Sequence, residues 1–196
     1  MQAAVNHIGT SAIAGYTAAT KVDQLAILVN NAVGIAIASY VAQNFGARQW
    51  KRNRVGVKDC FLMLTVLNIF MGVLLLAGKG LVVPMFVNNP TKDIIYYSDT
   101  FLWTVVPFYI LLGAVSVYRT TIQSMGNAWA PFGACIIELV ARVTCAMFVS
   151  VYFGYRAVCF STPFAWMTSL CLLIPVYFII ELSLIHISEP TRPLYI

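Results

Sequence analysis

Glu138 and Arg142 stand four residues apart in a stretch of otherwise mostly apolar residues, with the acid on the N-terminal side. On a helix that spacing puts both side chains on one face in the better of the two orientations. Two roles follow and stay open at this stage. One is a structural ion pair that fixes helix packing; the other is a carboxylate coupled to a cation or a substrate, since buried carboxylates also relay protons.

A second group lies in the first quarter of the chain. At 100° per residue Thr17, Thr20, Lys21, Gln24, Asn31 and Ala38 fall within an arc of about 100°, a polar stripe of the kind that lines a path through a helix bundle. Asp23 and Asn30 lie roughly 80° to one side of it. Lys21 and Asp23, two apart, do not face each other. The bland reading is that the stripe hydrogen-bonds neighbouring helices. The cavity candidates are thus Thr17, Lys21, Asp23, Gln24, Asn31, Glu138 and Arg142.

A third group sits where apolar runs end. Gln43 and Asn44 precede Gly46 and Ala47, while Arg119 and Gln123 precede Gly126 and Pro131. These amides and the guanidinium either close a gate or satisfy backbone carbonyls at helix ends. No catalytic residue is assigned: the chain has no HExxH, no GxSxG, no P-loop and no paired carboxylates of the DDxxD kind. The five Cys are scattered singly, without the spacing of a metal site or redox pair, and read as membrane-buried thiols.

The elements that must position these groups follow from composition. Of 196 residues, 60% are apolar and 10% charged, against about 45–50% and about 25% in a soluble domain. That excludes a soluble globular class and a disordered one. Windows 24–47, 60–78, 100–118, 120–137 and 157–180 contain no Lys, Arg, Asp or Glu, and each is long enough to cross about 30 Å of hydrocarbon as a helix. Helices are therefore expected at 13–44, 55–78, 91–118, 129–153 and 162–181, with residues 1–10 the tail of one more. Gly46, Gly78, Gly126 and Gly154 are expected to end helices. Asn89 with Pro90 and, further on, Pro131 are expected to open them, and Pro107 and Pro175 to kink them. Small residues four apart, Gly15 with Ala19 and Gly34 with Ala38, allow close helix contact.

The net charge of +5 is not a nucleic-acid signal. Arg48, Lys51, Arg52, Arg54 and Lys58 cluster between two apolar runs, as in a cytoplasmic membrane loop. With Arg119 they outweigh Lys79, Lys92 and Arg156 on the other side, which places loops 46–58 and 119–128 inside. Trp50 and Trp129 flank those inner ends at headgroup level.

With these residues assembled, the chain resembles the C-terminal half of the multidrug and toxic compound extrusion (MATE) transporters. The likeness rests on AIAGYTAATKVDQLAI, VAQNFGARQWKR, the YRTTIQSMGNAWAP turnaround, ELVAR and STPFAWMTSL, and covers residues 1–181. Ser124 stands where that turn more usually has glycine. The resemblance implies an all-α integral membrane protein: a six-helix lobe of a twelve-helix transporter, here five full helices plus the tail of a sixth. It further implies export across the plasma membrane by alternating access, driven by H⁺ or Na⁺ without another cofactor. The implied cargo is amphipathic organic cations, and the implied partners are the N-terminal lobe of the same polypeptide and the bilayer. Coupling residues of that other lobe cannot be carried over. Two alternatives remain at this stage, a lipid-linked oligosaccharide flippase of the same superfamily and a non-transporting membrane subunit. Residues 182–192, LSLIHISEPTR, resemble the translation of a sequencing adapter. Residues 182–196 are accordingly expected to be a non-native tail after a membrane lobe at 1–181, and Met1 to be an internal methionine.

Overall fold

The computed structural model of the chain describes Val5, residues 9–87 and residues 90–188. They are almost entirely helical, with no strand among them. The elements are α1 (Thr10–Gly46), α2 (Trp50–Ala77), α3 (Lys79–Phe86), α4 (Lys92–Val105), α5 (Tyr109–Ser124), α6 (Trp129–Thr144) and α7 (Ser150–Ser188). A 3₁₀ turn at Val106–Phe108 joins α4 to α5, and a π turn at Cys145–Val149 joins α6 to α7. Among the described residues four stretches are long and apolar enough to cross a membrane: Thr10–Gly46, Trp50–Ala77, Lys92–Ser124 and Trp129–Leu184.

The last stretch crosses twice. Gly154 takes φ 61° and ψ −141°, a conformation outside the helical region that glycine reaches without steric cost. Glu138 and Ser169, nearly equidistant from it along the chain, both meet Arg119, and Cys145 Sγ donates to the carbonyl of Ala157 at 3.6 Å. The chain therefore folds back into an antiparallel hairpin, and five crossings result, as the sequence leads one to expect.

Several boundaries move, each for a local reason. The expected loops 46–58 and 119–128 shrink, because α2 begins at Trp50 and α5 runs to Ser124. Lys51, Arg52, Arg54 and Lys58 therefore decorate the first turns of a helix; Lys and Arg are good helix formers, and a helix can continue into the headgroup layer. Helix α7 resumes directly after Gly154 instead of at 162, with Pro163 as well as Pro175 inside it. Pro107 breaks the α4–α5 crossing as expected. Pro90 lies before α4, which begins at Lys92 with Thr91 at its N-cap position but without a side-chain capping bond, and Asn89 is outside the described residues. Pro131 falls in the first turn of α6, where the carboxamide oxygen of Asn127 accepts the N–H of Ala130 at 3.2 Å.

Helix ends follow two patterns. Gly126 (φ 88°) closes α5, with its own N–H on Gln123 O and that of Asn127 on Ile122 O. At the end of α1 the left-handed position falls on Arg48 (φ 55°) and not on Gly46. Gly78 ends α2 in an ordinary right-handed conformation, φ −86°. The expected sixth-helix tail at 1–10 falls mostly outside the described residues.

α1 packs against α2, α4 and α5, and α7 against α4, α5 and α6. Close approach of α1 to α4 is set by Gly15: a β-carbon there would stand 2.7 Å from the carbonyl oxygen of Ile94 and 2.8 Å from Tyr97 Cβ. Phe101, Leu102, Val105, Tyr109, Val117 and Leu173 fill the interior. Outward faces are equally apolar, as with Leu62, Val66, Phe70 and Val73 on α2, the inside-out surface expected of a chain solvated by lipid. Cys145 and Cys159 are buried and Cys60 half-buried, while Cys135 and Cys171 face outward.

The start of α2, Met125 after α5, and Tyr177 with Glu181 on α7 surround one hollow of about 660 Å³, and Arg54 Nε pairs with Glu181 at 3.0 Å. The two basic connections thus share a face. Helix α7 runs on past Glu181 to Ser188; Leu182 is exposed, and residues 189–196, with the side chains of 185–188, are outside what is described.

Candidate substrate cleft

Between α1 and α6 the bundle opens into a cleft of about 390 Å³, floored by α5 and α7. The sequence-predicted candidates divide around it. Asp23, Asn31, Glu138 and Arg142 line it. Thr17 and Lys21 instead border a separate hollow of about 370 Å³ with Phe86 and Val87, and Gln24, exposed, lines neither. The cleft-facing side of α1 carries Tyr16, Thr20, Asp23, Ile27, Asn30 and Asn31, a rotation of about 70° from the predicted stripe at 100° per residue. The reason is close packing: the side with Gly15, Ala19 and Ala26 is buried against its neighbours, which turns Asp23 and Asn30 inward.

Two polar assemblies result. On α6 the Glu138 carboxylate accepts from Arg142 Nη2 at 2.6 Å through Oε1, and through Oε2 it takes a second guanidinium, that of Arg119 on α5. The same Arg119 Nη2 donates to Ser169 Oγ of α7 at 3.3 Å. The expected neutral pair is thus an Arg–Glu–Arg cluster binding three helices and carrying one net positive charge. Arg119, predicted as a gate residue, belongs to it.

Deeper in, Tyr109 OH donates to Asp23 Oδ1 at 2.8 Å. Among the described residues no cation closes an ion pair with Asp23; the two cleft arginines, Arg119 and Arg142, pair with Glu138. Asn30 and Asn68 exchange two amide hydrogen bonds, at 2.8 and 3.1 Å, and Ser116 Oγ donates to the carbonyl of Asn30 at 3.1 Å. This amide clasp ties α1 to α2 and α5. A lone Asn in the uncharged 60–78 window was the available signal for it; nothing in the spacing pointed to Tyr109 or to the aromatic walls Phe101 and Trp166.

The remaining gate candidates serve helix ends. Asn44 Nδ2 donates to the carbonyl of Tyr40 at 2.8 Å, and Gln43 Nε2 to Ser39 Oγ at 3.4 Å. The carbonyls of Gln43 and Gln123 accept from Ala47 and Gly126, and the Gln123 side chain is exposed.

The cleft thus brings a buried carboxylate and an arginine cluster together inside a bundle of long apolar helices. The family model MatE matches residues 1–148. The chain belongs to the MatE family. MatE proteins are all-α membrane transporters, so the chain is a multi-pass membrane protein of a transporter family. Comparison with curated proteins and with solved structures returned no match. The MatE match includes α1 to α6 and therefore Asp23, Arg119, Glu138 and Arg142, while α7 lies beyond it.

Proposed function

We propose that the chain is the C-terminal lobe, residues 1–181, of a plasma-membrane exporter that moves amphipathic organic cations by alternating access against an inward H⁺ or Na⁺ gradient. In this reading the α1–α6 cleft is one wall of the cavity, and the N-terminal lobe of the same polypeptide supplies the other. The basic connections face the cytoplasm. One observation carries the proposal: Asp23 presents a buried carboxylate to an aromatic-walled cleft, held by a tyrosine hydroxyl and, among the described residues, without an ion-pair partner.

A buried carboxylate in that setting is compensated by a proton, a metal cation or an organic cation, and these exclude one another. That exclusion is what an antiporter needs. Tyr16, Phe101 and Trp166 line the same cleft and give a flat cation both burial and π-faces. Lys21 and Gln24, placed outside the cleft, drop out of the substrate wall, and Thr17 goes with them.

A lipid-linked oligosaccharide flippase would want a strongly cationic cavity for pyrophosphate. Here Arg119 and Arg142 are balanced by Asp23 and Glu138. A membrane subunit without transport would pack its polar residues dry, which an open cleft of about 390 Å³ does not do.

The test is reconstitution of the full-length transporter in vesicles with a fluorescent organic cation and an imposed proton or sodium gradient. Gradient-driven accumulation is expected, and Asp23→Asn should abolish it while the protein still folds. Equal transport by that variant would sink the assignment.

A further inference from the structure

The hollow of about 660 Å³ lies apart from the cleft, where the end of α1 turns into α2 beside α7. Its wall carries Arg48, Lys51, Arg52 and Arg54 against one carboxylate, that of Glu181, which Arg54 Nε takes at 3.0 Å. Arg48, Lys51 and Arg52 are exposed and close no ion pair among the described residues. Three cations therefore ring one concavity unneutralised. The backbone adds to them: α2 opens at Trp50 with no acidic residue in its first turn and no side-chain cap. Asn53 N–H reaches Gln49 O at 3.0 Å, whereas the N–H groups of Trp50, Lys51 and Arg52 before it have no carbonyl within the helix to meet. Lys and Arg at the positive end of a helix dipole oppose it, and an anion there relieves both charges at once. The floor is polar, since Asn53 lines the hollow and is 3% exposed with its carboxamide oxygen unpartnered among the described residues, so it suits a headgroup better than an acyl chain.

Depth selects the source of the anion. Trp50 packs edge-on against Phe45, ring centroids 5.0 Å apart, and an indole at a helix end marks the headgroup layer. From there α2 runs on with Val55, Leu62 and Val66 exposed on its outside, a surface for acyl chains. We propose that the hollow is a binding site for the phosphate of an anionic glycerophospholipid of the adjacent leaflet, held by Arg48, Lys51 and Arg52. The site requires the lobe to sit in a membrane and does not require the transport reading. A headgroup seated there ties the end of α1 to the start of α2, which Arg54 already ties to α7 through Glu181.

The experiment places the full-length protein in phosphatidylcholine vesicles doped with a photoactivatable phosphatidylglycerol or, separately, a photoactivatable phosphatidylcholine with the same acyl chains. Cross-links are then mapped by peptide mass spectrometry. Labelling within residues 47–57 should favour phosphatidylglycerol at least about fivefold, the worth of one surface Lys or Arg. The double variant Lys51→Gln with Arg52→Gln should bring the ratio close to one. Both side chains are exposed and oppose the helix dipole, so their loss does not threaten folding. Lys58→Gln is the control: it removes the same charge from the same helix but outside the hollow, and should leave the ratio within about twofold. Equal losses in Lys51→Gln and Lys58→Gln would mean diffuse surface attraction and overturn the site. Suppression of the labelling by millimolar inorganic phosphate would make the hollow a site for soluble phosphate and overturn the lipid assignment. Equal labelling by the two lipids in the wild type overturns the proposal without any variant.

Discussion

Arg119 of α5 and Glu138 of α6 close an ion pair across two helices, and Arg142 holds the other oxygen of the same carboxylate. The three residues are unequal in what their loss does. Glu138→Gln strands two guanidiniums in a partly open cleft. The cost should lie between the ~1 kcal/mol ceiling of an exposed pair and the about 3–5 kcal/mol of a fully buried one. Arg142→Gln keeps a balanced pair and should cost less. Thermal unfolding of both variants in one detergent checks the order, and equal stability would mean that the cluster does not hold α5 to α6.

The helices were legible in the sequence because lipid imposes one rule, an apolar stretch long enough to cross, and uncharged windows reveal it directly. The site was legible only in part. The i, i+4 spacing of Glu138 and Arg142 is local and survives into the structure, but Arg119 reaches Glu138 through the way α5 meets α6, which no spacing encodes. The face of α1 was misjudged for a related reason. Polar residues alone define a stripe centred between Lys21 and Gln24, whereas the small residues Gly15, Ala19 and Ala26 decide which side can approach its neighbours. Gly154, by contrast, announced its turn because a glycine after an apolar run is a local signal.

The Asn30–Asn68 clasp depends on the lack of a side chain beside it. A β-carbon at Gly113 would stand 2.6 Å from Asn68 Nδ2, and that amide is not free to swing away because Asn30 holds it at both ends. Gly113→Ala should therefore destabilise by about 1–3 kcal/mol, the range for overpacking and for a broken buried hydrogen bond. Asn68→Ala should be destabilising too. The double variant should cost clearly less than the two together, because Asn68→Ala removes the amide that the added methyl of Gly113→Ala strikes. Additive losses in a thermal-unfolding cycle would show that the clasp and the glycine are independent.

Arg48 offers a gain instead of a loss. It occupies the left-handed position that ends α1, with its N–H on Phe45 O at 3.0 Å and the following Gln49 N–H on Asn44 O at 2.9 Å. At the equivalent place after α5 the residue is Gly126. Relief of the left-handed penalty, less the extra unfolded-state entropy of glycine, should make Arg48→Gly stabilising by about 0.5–1 kcal/mol. A lower melting temperature would show that the Arg48 side chain contributes more, through the basic hollow at the inner face, than its backbone loses.

The wetness of the cleft is the remaining prediction, and it sets a cleft residue against a lipid-facing one. Asn31 lines the cleft, whereas Phe70 on the outer face of α2 is 66% exposed to what must be lipid. In the full-length transporter, with Cys60, Cys135, Cys145, Cys159 and Cys171 first replaced, a cysteine at Asn31 should react with a membrane-impermeant thiol reagent. A cysteine at Phe70 should not, since thiolate chemistry needs water and hydrocarbon offers none. Thr17 and Lys21, in their own hollow with Phe86, should give a labelling pattern that does not follow Asn31 when the gradient is reversed. The side from which Asn31 is reached should change with the direction of the gradient, as alternating access requires. Protection of Asn31 from both sides under both gradients would remove the cleft from the transport path and leave the Asp23 and Glu138 assemblies as helix packing.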